Sequence, residues 1–208
     1  MTDAAIERDS MDYDVLIVGA GPAGLAASIR LKQLCEEQGR DISVAVLEKG
    51  SEVGAHILSG VVFDPKALDE LMPDWRQDPE QPFDTEVTSD KYLILGEAGV
   101  AQVPNFVFPG FMSNHGCYTG SLANLCRWLG AKAEAMGVEI YPGFTAAEPI
   151  LEDGVLKGVI TGDMGVGKDG EAKDSFQPGL ELRAKYTLLA EGARGSVSKR
   201  LIREFKLS

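Results

Sequence analysis

The 208-residue sequence predicts an α/β fold built on a parallel sheet, and three observations carry that prediction. Two short apolar runs, Tyr13 to Val18 and Asp41 to Leu47, flank a stretch with helical spacing. Glycines crowd the junction between the first run and that helix, at Gly19, Gly21 and Gly24. A second helical pattern leads through Gly137 into a further apolar run, Val138 to Tyr141. Strand–helix–strand alternation of this kind builds βαβ units, whose strands lie parallel and are buried on both faces.

Composition sets the bounds. Hydrophobic residues make up 44% and charged residues 25%, ordinary values for a globular chain. Lys and Arg number 20 against 32 Asp and Glu, a net charge of −12. That balance argues against nucleic-acid binding, which needs clustered positive charge against phosphate. No apolar run is long enough to span a bilayer. The N-terminus has neither a signal-peptide core nor an Arg-rich transit pattern, so the chain is expected to stay where it is made or to reach a membrane by its surface. Cys35, Cys117 and Cys126 fit no zinc or iron–sulfur spacing and read as reduced thiols. Cys35 and Cys126 fall in apolar helical pattern and are expected in the core.

Residues 1–12 read as a polar tail. Leu25, Ile29, Leu31 and Leu34 give the first helix an apolar face, closed by Gly39. Residues 64–76 are expected to form a short helix opened by Asp64 and Pro65, since Asp caps and Pro suits the first position. Lys91 to Leu95 reads as a strand. Val103 to Met112, punctuated by proline, suits neither a helix nor an ordinary loop. Leu122, Leu125, Leu129, Ala133 and Met136 place a helix over 121–136, with Gly137 as its C-cap. Residues 144–160 alternate about Glu152-Asp153-Gly154, a hairpin signal, and 162–179 read as an excursion loop. Tyr186 to Ala190 forms a last apolar run before Glu191-Gly192-Ala193-Arg194-Gly195 and a basic helix. The central sheet is therefore expected from strands near 14–18, 42–47, 138–141 and 186–190.

The chemistry lies at the glycine turn. A dinucleotide's pyrophosphate sits where unpaired N–H groups and the helix dipole favour an anion. Gly19 permits the tight turn, Gly21 lets backbone approach the phosphates, and Gly24 lets the helix pack on the strand. Ala20, Pro22 and Ala23 complete this segment. Glu48 ends the second strand 24 residues beyond Gly24, placed to accept hydrogen bonds from ribose hydroxyls and to repel a 2′-phosphate.

Several motifs together resemble a known family. They are Gly54-Ala55-His56-Ile57-Leu58-Ser59-Gly60, Pro73-Asp74-Trp75, Asn114-His115-Gly116, the 133–148 stretch AEAMGVEIYPGFTAAE, GDMGVGKDG at 162–170 and LLAEGARG at 188–195. The chain after Tyr13 resembles electron transfer flavoprotein–ubiquinone oxidoreductase, within a wider group of FixC-like and geranylgeranyl-reductase-like flavoproteins. The resemblance implies an α/β, FAD-binding Rossmann-like domain of glutathione-reductase type with β-rich excursions, over residues 13–208. It implies electron transfer from reduced electron transfer flavoprotein to ubiquinone at a membrane surface.

FAD contacts are then expected at Gly19 to Gly24, Glu48 and Lys49, at the flavin-facing His56, Ser59 and Gly60, and at Glu191 and Gly192. Glu191 stands where the family usually has Asp. For His56, proton transfer and simple packing both stay open. One-electron chemistry requires no catalytic nucleophile or general base. The family's [4Fe-4S] cluster has no ligand set in this chain, and its C-terminal quinone part is absent, so the chain resembles an N-terminal part. A non-catalytic fragment and an FAD-dependent NAD(P)H-linked reductase stand as alternatives. Peripheral, monotopic membrane contact is expected from two apolar segments, one including Ile57 to Phe63, Leu68 and Trp75, the other Val103 to Met112. The site implied is the cytoplasmic face of a bacterial inner membrane. Arg127 and the basic helix from Lys199 read as solvated faces.

Overall fold

The computed structural model describes residues 7–57, 60–167 and 171–207. The chain runs through β1 (Ser10–Val18), α1 (Pro22–Glu37), β2 (Val44–Glu48), β3 (Val61–Phe63), α2 (Lys66–Leu71), β4 (Thr85–Glu86), β5 (Tyr92–Gly96), β6 (Gly99–Val103) and β7 (Tyr118–Gly120). It continues through α3 (Leu122–Ala135), β8 (Glu139–Pro142), β9 (Ala146–Glu152), β10 (Val155–Thr161), β11 (Met164–Val166), β12 (Ala172–Gln177), β13 (Glu181–Leu189) and α4 (Ser196–Glu204). Two structural units result. One combines the described residues up to 57 with those from 129 onward; the other takes those from 60 to 128.

The first unit is organised by a six-stranded sheet in the order β8-β2-β1-β13-β10-β9. Its first four strands are mutually parallel, as the four apolar runs predict. Leu16, Ile17, Val44, Ala45 and Val46 are almost wholly buried. That burial on both faces explains why β1 and β2 read as continuous apolar runs without alternation. Helix α1 seals one face with Leu25, Ile29 and Cys35. The opposite face packs Leu16, Val18, Leu47, Val159 and Leu182 against Val197 and Leu201 of α4. The β9–β10 hairpin turns at Asp153 and Gly154, both with positive φ (50° and 75°), the twist a two-residue hairpin turn needs.

The structure departs from the sequence reading in four places. Strand β1 begins at Ser10, three residues before the expected run, because Ser10, Met11 and Asp12 pair with Glu181, Leu182 and Arg183 of β13. The helix expected over 64–76 is only α2, followed by a separate 3₁₀ turn at Trp75–Gln77. The Asp64 carboxylate does accept from Lys66 N, at 3.0 Å. Pro73 explains the break: Met72 before it adopts φ −143°, ψ 82°, since a residue preceding proline is driven out of the helical region. The loop expected over 162–179 contains the antiparallel ribbon β11–β12. Lys91 to Leu95 is a strand, but it belongs to a β5–β6 hairpin whose second arm shows no alternating pattern.

In the second unit, β3, β7 and β4 form a small sheet. Phe63 stacks on Phe83 at 4.6 Å, with Phe83 fully buried. A Cβ on Gly120 would lie 2.4 Å from the Phe83 ring, so glycine is what lets that ring lie on β7. Trp75 is buried and donates to Asp69 Oδ1 at 2.8 Å, while the Arg76 guanidinium lies 4.5 Å over the Trp75 ring and pairs with Asp69.

Candidate functional site

Strands β1, β2 and β13 end side by side, and their C-terminal ends carry most of the expected site residues. Gly19 N donates to Leu47 O at 2.8 Å and Ala190 N to Val18 O at 2.8 Å, which locks the three ends together. Gly19 has φ +109°, and a Cβ there would sit 2.5 Å from Ala190 O. A Cβ on Gly24 would sit 2.0 Å from Gly19 O and 3.2 Å from Ile17 Cγ2. Both glycines are thus demanded by the protein's own packing.

Gly21 differs. Its φ and ψ, −79° and 179°, are open to any residue, and a Cβ would meet nothing within 4 Å. Neither backbone strain nor packing requires glycine here; what a side chain would fill is the open space at the start of α1. That helix has no side-chain cap and no acid in its first turn, and Pro22 occupies the first position. Its first helical bond is Leu25 N to Gly21 O, so the N–H groups of Ala23 and Gly24 point outward beyond the ladder, where an anion is favoured. Pro22 and Ala23 are exposed, Ala20 and Gly24 buried.

Glu48 is drawn into the same turn. Its Oε2 accepts from Ala20 N at 3.1 Å and its Oε1 from Gly50 N at 2.6 Å. Each carboxylate oxygen keeps acceptor capacity for a hydroxyl. Glu191 follows β13 and is half-buried. Burial opposes its ionisation, yet hydrogen bonds from the Ser198 hydroxyl and from the N–H groups of Ser198, Val197 and Ser196 outweigh it and lower its pKa. Gly192 has φ +72° and opens the 3₁₀ turn Gly192–Arg194. The Glu191 side chain is therefore turned to the start of α4, a role the acid-glycine pattern alone does not reveal. Its only sequence signal is the pair Ser196 and Ser198 five and seven residues on.

The remaining expected residues are more dispersed. Lys49 and His56 are exposed on the loop after β2. Gly60, with φ +90°, precedes β3 in the second unit, and Ser59 lies outside the described residues. Arg127 is exposed on α3 and donates to Asn124 Oδ1 at 2.8 Å. Cys35 and Cys126 are buried, as expected, and Cys117 is half-buried. No group of three or more potential metal ligands occurs among the described residues. A groove of about 400 Å³ lies at the opposite edge of the sheet, lined by Asp14, Ser43, Arg183 and Lys185 among others. Two of its cations are paired, Lys185 with Asp14 at 2.5 Å and Arg183 with Glu181 at 2.7 Å.

Comparison with known proteins bears on the edge that carries the glycine turn. A family described as an NAD(P)-binding Rossmann-like domain matches residues 17–76, from the end of β1 through the glycine turn and Glu48. An electron transfer flavoprotein-ubiquinone oxidoreductase of Pseudomonas aeruginosa is 56% identical over 97% of the chain. The chain is homologous to the electron transfer flavoprotein–ubiquinone oxidoreductases. A mitochondrial one from Oryza sativa is 53% identical over 96% of the chain. The chain spans 37% and 34% of these two relatives' lengths, about a third. Among solved structures, a geranylgeranyl bacteriochlorophyll reductase-like protein from Thermoplasma acidophilum shares the fold with a TM-score of 0.57, at 19% identity over 88% of this chain and 40% of its own. The myxobacterial halogenase CndH, described as a variant of FAD-dependent halogenases, gives 0.55 at 16% identity, over 90% of this chain and 39% of its own.

Proposed function

We propose that this chain supplies the FAD-binding part of an enzyme that passes electrons from reduced electron transfer flavoprotein to ubiquinone. The observation that carries the reading is Gly21: a glycine that the protein itself does not need, at an uncapped helix start, beside a carboxylate aimed at the same turn. The FAD diphosphate fits the N–H groups of Ala23 and Gly24, and an adenosine ribose fits the remaining acceptor positions of Glu48. Bound flavin supplies the electron-transfer chemistry. The chain's residues bind, orient and shield it. Lys49, His56, Ser59, Gly60 and Gly192 are proposed as further contacts, with Glu191 acting from the neighbouring helix start. No ligand set for a [4Fe-4S] cluster occurs among the described residues, so no step is assigned to one here.

The membrane part of the reading rests on the second unit. Leu93, Ile94, Leu95 and Val100 of the β5–β6 hairpin are 51%, 62%, 75% and 64% exposed, and Phe106 and Phe111 are each 87% exposed. The phenylalanines ride on two 3₁₀ turns entered through Pro104 and Pro109. Asp90 pins that segment by accepting from Asn105 Nδ2 at 2.8 Å and Asn114 N at 2.8 Å, and Tyr92 donates to Met112 O. Apolar side chains held outward on a fixed backbone suit one leaflet of a bilayer better than free water. Leu68 and Trp75, expected in the same role, are buried and drop out of it. No described helix is long and apolar enough to cross a membrane. The cytoplasmic face of a bacterial inner membrane is the location this reading adopts, on the family resemblance alone.

The test is a visible absorption spectrum of the purified protein, followed by reduction with dithionite and reoxidation with a soluble quinone. Flavin bands in a one-to-one ratio to protein are expected. A colourless protein that takes up no FAD on reconstitution overturns the reading.

A further inference from the structure

We infer that Glu191 is a positioning residue that closes the start of α4 to phosphate, leaving the α1 turn alone to receive the dinucleotide's diphosphate. The inference rests on the dinucleotide reading above. Strands β1 and β13 are neighbours, and each hands its chain to a helix at the same edge of the sheet. Two helix starts, each with outward N–H groups and a positive dipole end, therefore face the same side. A diphosphate is attracted to either unless something distinguishes them.

The side chains make that distinction. At α1, Gly21 leaves open space, and neither a side-chain cap nor a first-turn acid is present. At α4, the Glu191 carboxylate occupies the place an anion would take. Its Oε1 accepts from Ser196 N at 3.1 Å and Val197 N at 3.3 Å. Its Oε2 accepts from Ser198 N at 2.8 Å and from the Ser198 hydroxyl at 2.7 Å. Gly195 makes room for this: a Cβ there would meet Glu191 Cβ and Oε2 at 2.7 Å. The N–H groups of Ala23 and Gly24 that open α1 are thus left free, with the Glu48 carboxylate beside them held on Ala20 N and Gly50 N. Those that open α4 are instead filled by a fixed negative charge that also repels phosphate.

The experiment compares wild type, Glu191→Ala and Glu191→Gln by thermal melting across a sulfate series, with and without saturating FAD. With FAD bound, wild type is expected to show no saturable sulfate stabilisation beyond the general salting effect. Glu191→Ala is expected to show a saturable rise in midpoint that persists with FAD, because α4 now accepts the added anion. Glu191→Gln, neutral but still an acceptor, is expected to fall between them. A sulfate response of Glu191→Ala identical to wild type overturns the inference. If Glu191→Ala folds only when sulfate is present, the inference holds. If it folds under neither condition, Glu191→Gln decides, and a response indistinguishable from wild type counts against. The sulfate series without FAD reads the same difference, so failure of the FAD reading is seen separately as absence of flavin binding in all three proteins.

Discussion

The two units treat the same kind of apolar run in opposite ways. In the first, Leu16, Ile17, Val44 and Val46 disappear between α1 and the core on the far face of the sheet. In the second, Leu93, Ile94, Leu95 and Val100 stand exposed on a two-stranded ribbon that pairs with no further strand. Burial of the first set stabilises the fold, at about 1.5–3 kcal/mol for each large side chain. The second set buries no such area and carries the proposed membrane contact instead. The difference separates residues that hold the fold from residues on which the proposed membrane contact rests.

The sharpest way to break that comparison is Leu16→Ala, which leaves a void in a fully buried position and is expected to cost about 2–5 kcal/mol. Gly24→Ala is expected to be similarly severe, since its Cβ would collide with Gly19 O at 2.0 Å and backbone cannot give as a flexible side chain can. Chemical denaturation of each variant reads these losses. Leu95→Ala, by contrast, is expected to shift stability by less than about 0.5 kcal/mol.

Acid sharpens the comparison in a second way. Asp14 is held below the usual carboxylate range by Lys185 and Ser43, and Asp163 by Arg8 and Gly179 N. Glu191 is lowered as described, against its burial. Because each folded-state pKa lies below its unfolded value, the stability they contribute is present above the ordinary carboxylate range. It is lost as pH falls through the depressed folded values. Asp69, lowered by Arg76 and Trp75, puts the same dependence into the second unit. A falling melting midpoint below about pH 4 is expected, and Glu191→Gln is expected to flatten part of it. Differential scanning across pH checks this. The smallest expected effects are on contact: Phe106→Ser with Phe111→Ser should leave the midpoint unchanged while vesicle co-sedimentation falls. Wild-type binding in that double variant would remove the membrane role from this surface.

The comparison also explains what was legible in the sequence. Strands β1 and β2, buried on both faces, leave uninterrupted apolar runs that could be read directly, as could α3 from its 3- and 4-residue spacing. Strand β8 and the end of β13 were legible as apolar runs although partly exposed, whereas Glu181 to Lys185 of β13, where charged residues interrupt the apolar ones, were not. The hairpin at Asp153-Gly154 announced itself through turn residues. Of the ribbon β5–β6 only the first arm was legible, as the run Lys91 to Leu95; β6 and the ribbon β11–β12 left no periodicity to read, because neither ribbon packs one face on a core. Pro73 was visible, yet its power to end α2 depended on Met72 before it. At the site, the glycines gave the turn, but which of them the protein itself requires emerges only from the space around each Cβ. The role of Glu191 was largely hidden for the same reason: three of its donors are backbone N–H groups, which no side-chain pattern records, and only Ser196 and Ser198 hint at it.

The central claim is that Gly21 is kept for a ligand. An FAD titration followed by fluorescence, on wild type and Gly21→Ala side by side with their melting midpoints, tests it most directly. The account predicts that Gly21→Ala melts within a few degrees of wild type, since its Cβ meets nothing within 4 Å. Its FAD affinity is predicted to fall about tenfold or more as the methyl group pushes the diphosphate off its N–H donors. Equal FAD affinity in the two proteins, or a Gly21→Ala protein that loses stability as Gly24→Ala does, would contradict it.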